Sequence, residues 1–242
     1  MFSFIWHTFF FDPIYNALVF FIDVIPGGDV GLAIILTVLL VKTILLPLSI
    51  KAAKTQRIVR EIEPKLKELK EKHKDDKQQQ AQAMMLVYKE AGMNPFASIA
   101  LVFLQIPIVI ALYLAVSRGG GVLLPDINLA ILYPFVAAPL DVTMHFLNLI
   151  DITERSLLLA IGAGVTQYVY VHLTMPKLPP REAGKVLDMK EEFMRNMQTQ
   201  MKYVMPFLIV FISYSISAAI ALYFMVSNLV SIGQEYFVRK HR

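Results

Sequence analysis

The chain has 242 residues, of which 56% are hydrophobic, and its mean hydropathy is +0.56. This apolar share exceeds the roughly 45–50% usual in soluble domains and predicts an all-α polytopic membrane protein. The formal net charge is only +4, and the absence of cysteine excludes disulfides, cysteine metal ligands and thiol nucleophiles. We expect no cleaved signal peptide, because no charged n-region with a short apolar run and a cleavage site follows Met1.

The first 28 residues are aromatic and apolar, but Asp12, Pro13 and Asp23 divide them into short pieces. Such pieces suit a helix that lies in the membrane interface better than one that crosses the bilayer. We therefore predict an external interfacial helix over residues 1–28, in preference to an additional first span.

The rest of the chain contains apolar runs of spanning length. Residues 29–50, 95–117 and 156–175 each supply about 20 mainly apolar residues, the length that a spanning helix needs. The apolar region 203–232 is longer than the bilayer requires, so that length alone allows one strongly tilted helix or two short ones. Because the basic tail is expected in the cytoplasm, we interpret it as a hairpin of two helices, 203–216 and 217–235, turning near 213–219. The prediction is thus five transmembrane helices.

Basic residues set the predicted orientation. Residues 51–90 contain 11 Lys and Arg and residues 177–202 contain 6, so that both segments are expected in the cytoplasm. The first lies within a segment, 51–94, whose two amphipathic stripes predict a cytoplasmic helical hairpin. The segment 176–202 is a cytoplasmic loop or helix, 118–155 is external and interfacial or re-entrant, and 236–242 is a basic cytoplasmic tail. The N-terminus is then outside and the C-terminus inside.

Lys42 lies in the middle of the first predicted span, roughly 13 Å from its cytoplasmic end on helical geometry. A charged side chain at that depth is costly unless it faces water or a polar partner, and the interior of the predicted spans offers no carboxylate. A hydrated groove is the preferred explanation; a lysine that snorkels to the interface is the alternative.

Other polar side chains within the spans are candidates to line this groove, although each could instead bond its own helix or bridge two helices. They are Gln105, Thr166, Gln167, Ser213, Ser215, Ser217, Ser227 and Asn228.

Catalytic signals are missing from the sequence, which contains no HExxH, GxSxG or phosphate loop. We predict that the protein is not an enzyme and uses no cofactor and no metal. The basic loops could attract anionic lipids or RNA phosphates, without any specific nucleic-acid sequence.

The combined motifs resemble the YidC-type membrane protein insertase family, which has relatives in mitochondria and chloroplasts. VKTILLPLSIKAAK is similar to the family's first core helix, where Lys42 replaces a usual Arg. KDDKQQQAQAMMLVYKEAGMNPFASIALVFLQIPIVIALY resembles its hairpin turn, second arm helix and second span. MPFLIVFISYSISAAIALYFMVSNLVSI resembles its last two spans.

The resemblance implies a bacterial plasma (inner) membrane protein whose five helices enclose a hydrophilic groove. Lys42 would attract the external tail of an incoming protein, and no nucleotide would be consumed. The arm, with Met84, Met85 and Tyr88, would recruit nascent membrane proteins, and basic segments would approach the ribosome and the Sec translocon. A small transporter or channel that uses Lys42 as an anion site is the alternative, and a membrane scaffold is a third.

Overall fold

The computed structural model describes residues 2–74, 76–92, 96–118, 121–175 and 195–240, and this part of the chain is mostly helical. The predicted all-α class is thereby confirmed. The helices are α1 Phe2–Trp6, a π-helical turn His7–Phe11, α2 Asp12–Val24, α3 Val30–Ile44, α4 Leu46–Lys72, α5 Lys77–Glu90, α6 Phe96–Ser117, α7 Leu157–Thr174, a second π-helical turn Gln200–Val204, α8 Met205–Ile216 and α9 Ala218–Lys240.

Two compact units divide the chain. The first comprises Met1–Thr43 and Pro107–Phe237, and the second comprises Ile44–Ile106 and Val238–Arg242. The first unit holds α3 up to Thr43, together with α7, α8 and most of α9. The second holds α4 and α5.

Helices α7 and α8 pack closely in the first unit because α7 offers a glycine at the contact. A Cβ atom built on Gly164 would overlap Val210 Cγ2 and would lie 3.2 Å from the carbonyl oxygen of Pro206. The Tyr168 ring lies 6.2 Å from the Tyr203 ring, which belongs to the turn just before α8. Because Gly164 meets later residues, Pro206 and Val210, the two helices run in opposite directions. Small residues permit such close helix contacts in membranes.

The chain leaves helical conformation at one residue between α8 and α9. Ser217 has φ −167° and ψ 164°, an extended backbone that any residue adopts, so that the turn requires neither Gly nor Pro. The first amides of α9 are satisfied outside the helix: Ala218 N–H donates to the Glu154 carbonyl (2.6 Å) and Ala219 N–H to the Ile152 carbonyl (3.0 Å). Helix α9 therefore begins beside the start of α7.

The segment between α6 and α7, residues 121–156, is irregular and is tied to the N-terminal helices by side-chain hydrogen bonds. It contains a 3-10 turn, Leu129–Ile131, and a small antiparallel hairpin of β1 His145–Phe146 and β2 Ile150–Asp151. Asn16 Nδ2 donates to the Ile131 carbonyl (2.9 Å), and its Oδ1 accepts from the Tyr133 amide (2.6 Å). The Tyr15 hydroxyl accepts from the Asn128 amide (2.9 Å).

Asp29 fixes the same segment to the start of α3. Its Oδ1 accepts from the Leu32 amide (3.0 Å), which caps the helix, and its Oδ2 accepts from the Leu147 amide (2.7 Å). The carboxylate thus satisfies one amide at the N-terminus of α3 and one in the turn of the β hairpin.

In the second unit, α4 and α5 pack side by side. Leu66 and Val87 are buried there, and Lys65 pairs with Glu90 (3.1 Å) on an exposed face. Gln80 Nε2 donates to the Lys70 carbonyl (2.8 Å) near the turn, and Asp76 caps α5 by accepting from the Gln78 and Gln79 amides. These pairings require α4 and α5 to run antiparallel.

By length and apolar composition alone, two described helical stretches suffice to cross a membrane, Ser3–Val24 and Leu157–Thr174. Val30–Ile44 together with Leu46–Thr55 forms a third if this broken pair is one span, and Phe103–Ser117 is a shorter apolar helix. Because Ser3–Val24 meets this criterion, the alternative of an additional first span within residues 1–28 is compatible with the length and composition of the helix. The interfacial placement of residues 1–28 stays a prediction, as do the boundaries of the five spans.

Candidate functional site

Lys42 lies in the last turn of α3 and is half-buried. Its ammonium Nζ donates to the hydroxyl oxygen of Ser231 on α9, at 3.1 Å. Within the described part of the chain, no carboxylate lies within ion-pair distance of Lys42. The positive charge is thus held by a neutral acceptor, which does not cancel it.

The Ser231 hydroxyl is oriented by α9 itself. Ser231 Oγ donates to the Ser227 carbonyl one turn earlier (2.8 Å), so that the oxygen lone pairs are available to accept from Lys42. Ser227 is only 2% exposed. Ser227 and Ser231 lie one turn apart on the same face of α9, and Ser231 contacts the last turn of α3.

A second polar contact joins α9 to α7. The Thr166 hydroxyl donates to the carbonyls of Gly162 (2.9 Å) and Ala163 (3.0 Å), and it can accept from Asn228 Nδ2 at 3.4 Å. Asn228 Nδ2 also lies 3.4 Å from the Ala163 carbonyl. Asn228 is buried and precedes Ser231 by three residues, so that α9 carries polar contacts to both α3 and α7.

The other predicted groove residues occupy different environments. Ser213 on α8 is fully buried, and its hydroxyl has no partner among the described residues. Ser217 is buried at the break before α9, Gln167 is half-buried on α7, and Ser215 is exposed on α8. Gln105 is half-buried on α6 and belongs to the second unit.

The arm residues lie on α5. Met85 is 53% exposed, and Met84 and Tyr88 are half-buried. The exposed methionine and the neighbouring Leu86, which is 60% exposed, give α5 an apolar strip. Among the described residues, no group of three or more His, Asp or Glu is arranged to hold a metal ion.

Ser231 is the residue that the sequence reasoning missed. Its sequence signal is the spacing: Ser231 follows Ser227 by four residues, which places both hydroxyls on one face of a helix. What the spacing does not reveal is that this face meets Lys42, 189 residues earlier in the chain.

Comparison with known proteins defines the class. The chain matches the model of the 60Kd inner membrane protein family over residues 21–242 and belongs to that family. The family predicted from the sequence motifs is confirmed.

Particular relatives carry a more specific name. The chain is 32% identical over 215 residues to "Membrane protein insertase YidC" of Clostridium tetani, an alignment that covers 89% of this chain and 84% of the relative. It is 28% identical over 241 residues to "Membrane protein insertase YidC 2" of Bacillus anthracis, covering 97% and 81%. A Francisella tularensis subsp. novicida protein with the YidC name is 30% identical over 214 residues, 88% of this chain and 33% of that longer protein.

Proposed function

We propose that this chain is a membrane protein insertase and chaperone. It receives the hydrophilic segment of a newly made membrane protein in a groove within the membrane, and the client's apolar segment then enters the lipid. No nucleotide is hydrolysed in this scheme. Membership of the 60Kd inner membrane protein family and the printed names of the relatives from Clostridium tetani and Bacillus anthracis support this assignment.

The observation that carries the mechanism is the contact between Lys42 and Ser231. A lysine inside a membrane protein requires a polar partner or water, and among the described residues the hydroxyl of Ser231 supplies this partner at 3.1 Å. A hydroxyl orients an ammonium without neutralising it. The charge therefore stays available to attract an acidic or polar client tail, because attraction between charges is stronger in a medium of low dielectric constant than in water.

Lysine acts differently from arginine in this position. Its ammonium is a compact charge on a flexible stem, without the planar fork that binds a carboxylate through two bonds. We propose that Lys42 attracts the client tail as a point charge and releases it easily. Ser227, Ser231, Asn228 and Thr166 would supply further hydrogen-bonding groups along the proposed groove, with Gln105, Gln167, Ser213 and Ser215 as additional lining candidates.

The proposed topology places the N-terminus outside and the C-terminus in the cytoplasm of a bacterial plasma membrane. The basic segments support this orientation. The start of α2 supports the interfacial position of residues 1–28, since Tyr15 and Asn16 bond to the segment between α6 and α7. These bonds hold the start of α2 beside a segment that is itself proposed to be interfacial, which favours an interfacial helix over a fully crossing one.

The α4–α5 arm is proposed to recruit nascent membrane proteins through the apolar strip around Met84, Met85 and Tyr88. Unbranched methionine side chains adapt to client segments of irregular shape. Basic cytoplasmic segments would contact the ribosome, the Sec translocon and anionic lipids. None of these contacts requires a specific nucleic-acid sequence.

Reconstitution of the purified chain into lipid vesicles tests the function. A short single-span client with an acidic tail is synthesised beside these vesicles and beside empty ones, and protection of the tail from added protease is measured. We expect protection only with the chain present and without ATP or GTP hydrolysis after synthesis. Equal protection in empty vesicles, or ion flux without client insertion, would contradict the proposal.

A further inference from the structure

Large apolar side chains are exposed along the segment between α6 and α7, although none of them belongs to a helix of spanning length. Leu140 is 99% exposed, Leu149 82% and Phe135 77%. With the less exposed members the set is Leu123, Leu129, Phe135, Leu140, Leu147 and Leu149. Extended apolar surface of this kind marks contact with a membrane or another protein.

The β hairpin presents two of these leucines at its turn. Leu147 and Asn148 have positive φ, 53° and 58°, and they connect β1 to β2 together with Leu149. The Leu147 amide donates to Asp29 Oδ2 (2.7 Å) and the Leu149 amide to the Phe146 carbonyl (3.0 Å). The turn therefore exposes apolar side chains while the amides of both leucines are already bonded.

Next to the exposed Phe135, two neighbouring backbone amides are bonded within the protein. The Tyr133 amide donates to Asn16 Oδ1 (2.6 Å) and the Val136 amide to the Tyr133 carbonyl (2.9 Å). The rings of Tyr133 and Phe135 lie 5.6 Å apart, and aromatic residues are enriched where a protein meets the membrane interface. Backbone whose polar groups are bonded within the protein can approach hydrocarbon at low cost.

Charge identifies the kind of surface that this segment suits. Residues 121–156 contain four acidic residues, Asp126, Asp141, Asp151 and Glu154, and one basic residue, Arg155. A segment with this net negative charge is not attracted by anionic head groups, so that its contact with a membrane would come from apolar insertion.

The segment is also continuous with a helix long enough to cross the bilayer. Leu157 and Leu158, in the first turn of α7, are 57% and 73% exposed, and α7 is a candidate span. The residues that follow β2 are fixed beside the start of α9 by the hydrogen bonds that Ile152 and Glu154 accept. The hairpin is thereby held at the level where α7 begins.

We propose that Phe135, Leu140, Leu147 and Leu149 insert into the lipid leaflet at this end of α7 and anchor the segment between α6 and α7 on the bilayer. The occupant of this apolar surface is the upper acyl-chain region of the lipid. The identification of that leaflet as the outer one rests on the proposed topology, whereas the insertion itself does not.

The absence of cysteine makes the test direct, because a single introduced thiol carries the only label. Leu140→Cys and Leu149→Cys are labelled with a nitroxide and reconstituted into phosphatidylcholine vesicles. Collisions of the label with oxygen, which concentrates in hydrocarbon, are compared with collisions with a water-soluble nickel chelate. Phe211→Cys, 62% exposed on the apolar helix α8, is the lipid-facing control, and exposed Asp126→Cys is the control within the same segment.

We expect labels at positions 140 and 149 to resemble the label at 211, with oxygen collisions dominating, and to be unchanged when anionic lipid is added. Nickel collisions equal to those at position 126 would overturn the proposal. Protection from nickel only after a client protein is added would also overturn it, because the occupant would then be protein. Unfolding curves of the labelled variants confirm that each is folded.

A separate readout keeps this inference distinct from the proposed function. A membrane-impermeant thiol reagent, added from either side to Asp126→Cys, identifies the leaflet. Client insertion by the unlabelled chain reports the insertase activity independently. The two measurements are therefore independent. The leucines can be found outside the lipid in a chain that inserts clients, and they can be found in the lipid in a chain that does not.

Discussion

The ammonium of Lys42 lies 3.1 Å from the hydroxyl oxygen of Ser231, although 189 residues separate the two in sequence. The contact joins the last turn of α3 to the middle of α9. Ser231 in turn donates to the Ser227 carbonyl, which fixes the direction of its lone pairs. The neutral hydroxyl of Ser231 therefore positions the charge of Lys42, and no carboxylate among the described residues forms an ion pair with it.

Replacing Ser231 by alanine should weaken the insertion of clients with acidic tails. A hydrogen bond of this kind contributes about 1 kcal/mol, so that a loss of roughly fivefold in insertion rate is expected. Ser231→Thr keeps the hydroxyl and should retain most of the activity. Ser3→Ala removes an exposed hydroxyl of α1 that is not among the groove candidates, and is the control. Equal rates for Ser231→Ala and the unmodified chain would show that Lys42 needs no acceptor.

Gly164→Ala should destabilise the contact between α7 and α8. The added methyl group overlaps Val210 Cγ2, and overpacking of this kind costs about 1–3 kcal/mol. Thermal unfolding in detergent measures the effect, and Val210→Ala in the same chain should restore part of the stability. Gly233→Ala is the control, because nothing lies within 4 Å of its added Cβ atom. Equal melting temperatures for Gly164→Ala and Gly233→Ala would contradict close packing of α7 against α8.

Asp29→Ala should release the β hairpin from the start of α3. The substitution removes the acceptor of both the Leu32 and the Leu147 amides, and hydrogen bonds to a charged group contribute about 1.5–3 kcal/mol. Hydrogen exchange of the Leu147 amide should accelerate, while exchange at Val87 in α5 should not change. Unchanged exchange at Leu147 would show that the hairpin is held by other contacts.

The hairpin should also loosen in acid because of Asp151. Burial raises the pKa of its carboxyl, but hydrogen bonds from the Thr153 hydroxyl and amide, the charge of His145 and the Glu154 amide outweigh burial and place this pKa below its usual value. A lowered pKa in the folded state stabilises the hairpin above the usual carboxyl value, about 3.9, and this contribution is lost as the pH falls through the lowered value.

Hydrogen exchange at the Thr153 amide, corrected for its intrinsic pH dependence, measures this loss. Protection in the unmodified chain should be constant above about pH 5 and should fall as the pH drops below about 4 and through the lowered pKa of Asp151. Asp151→Asn, which does not titrate, should show lower protection at the higher pH and a flatter profile. The same profile in both proteins would contradict a role for the Asp151 carboxylate.

Sequence reasoning identified the helical class and the family because these depend on local signals. Apolar runs, charged loops and ordered motifs such as VKTILLPLSIKAAK can be read along the chain. The break in the last apolar region lies at Ser217, inside the stretch 213–219 where the turn was expected. Its position depends on carbonyl acceptors from Ile152 and Glu154, and no local pattern reveals them.

The site was predictable only in part, for the same reason. The cost of a charge in an apolar helix singles out Lys42, but the identity of its partner depends on how α3 packs against α9. Asp29 likewise stands before an apolar run as a helix cap would, whereas its second bond, to Leu147, requires the folded hairpin. Long-range contacts of this kind follow from packing.

The charge of Lys42 is tested most directly by client insertion in cells depleted of their own insertase. A short single-span client with an acidic external tail is compared in cells that carry the unmodified chain, Lys42→Arg, Lys42→Ala or Lys42→Glu, at equal protein levels. We expect rescue by the unmodified chain and by Arg, loss with Ala and a deeper loss with Glu, since Glu repels the acidic tail. Equal rescue by all four chains would contradict a cationic groove that receives the client tail.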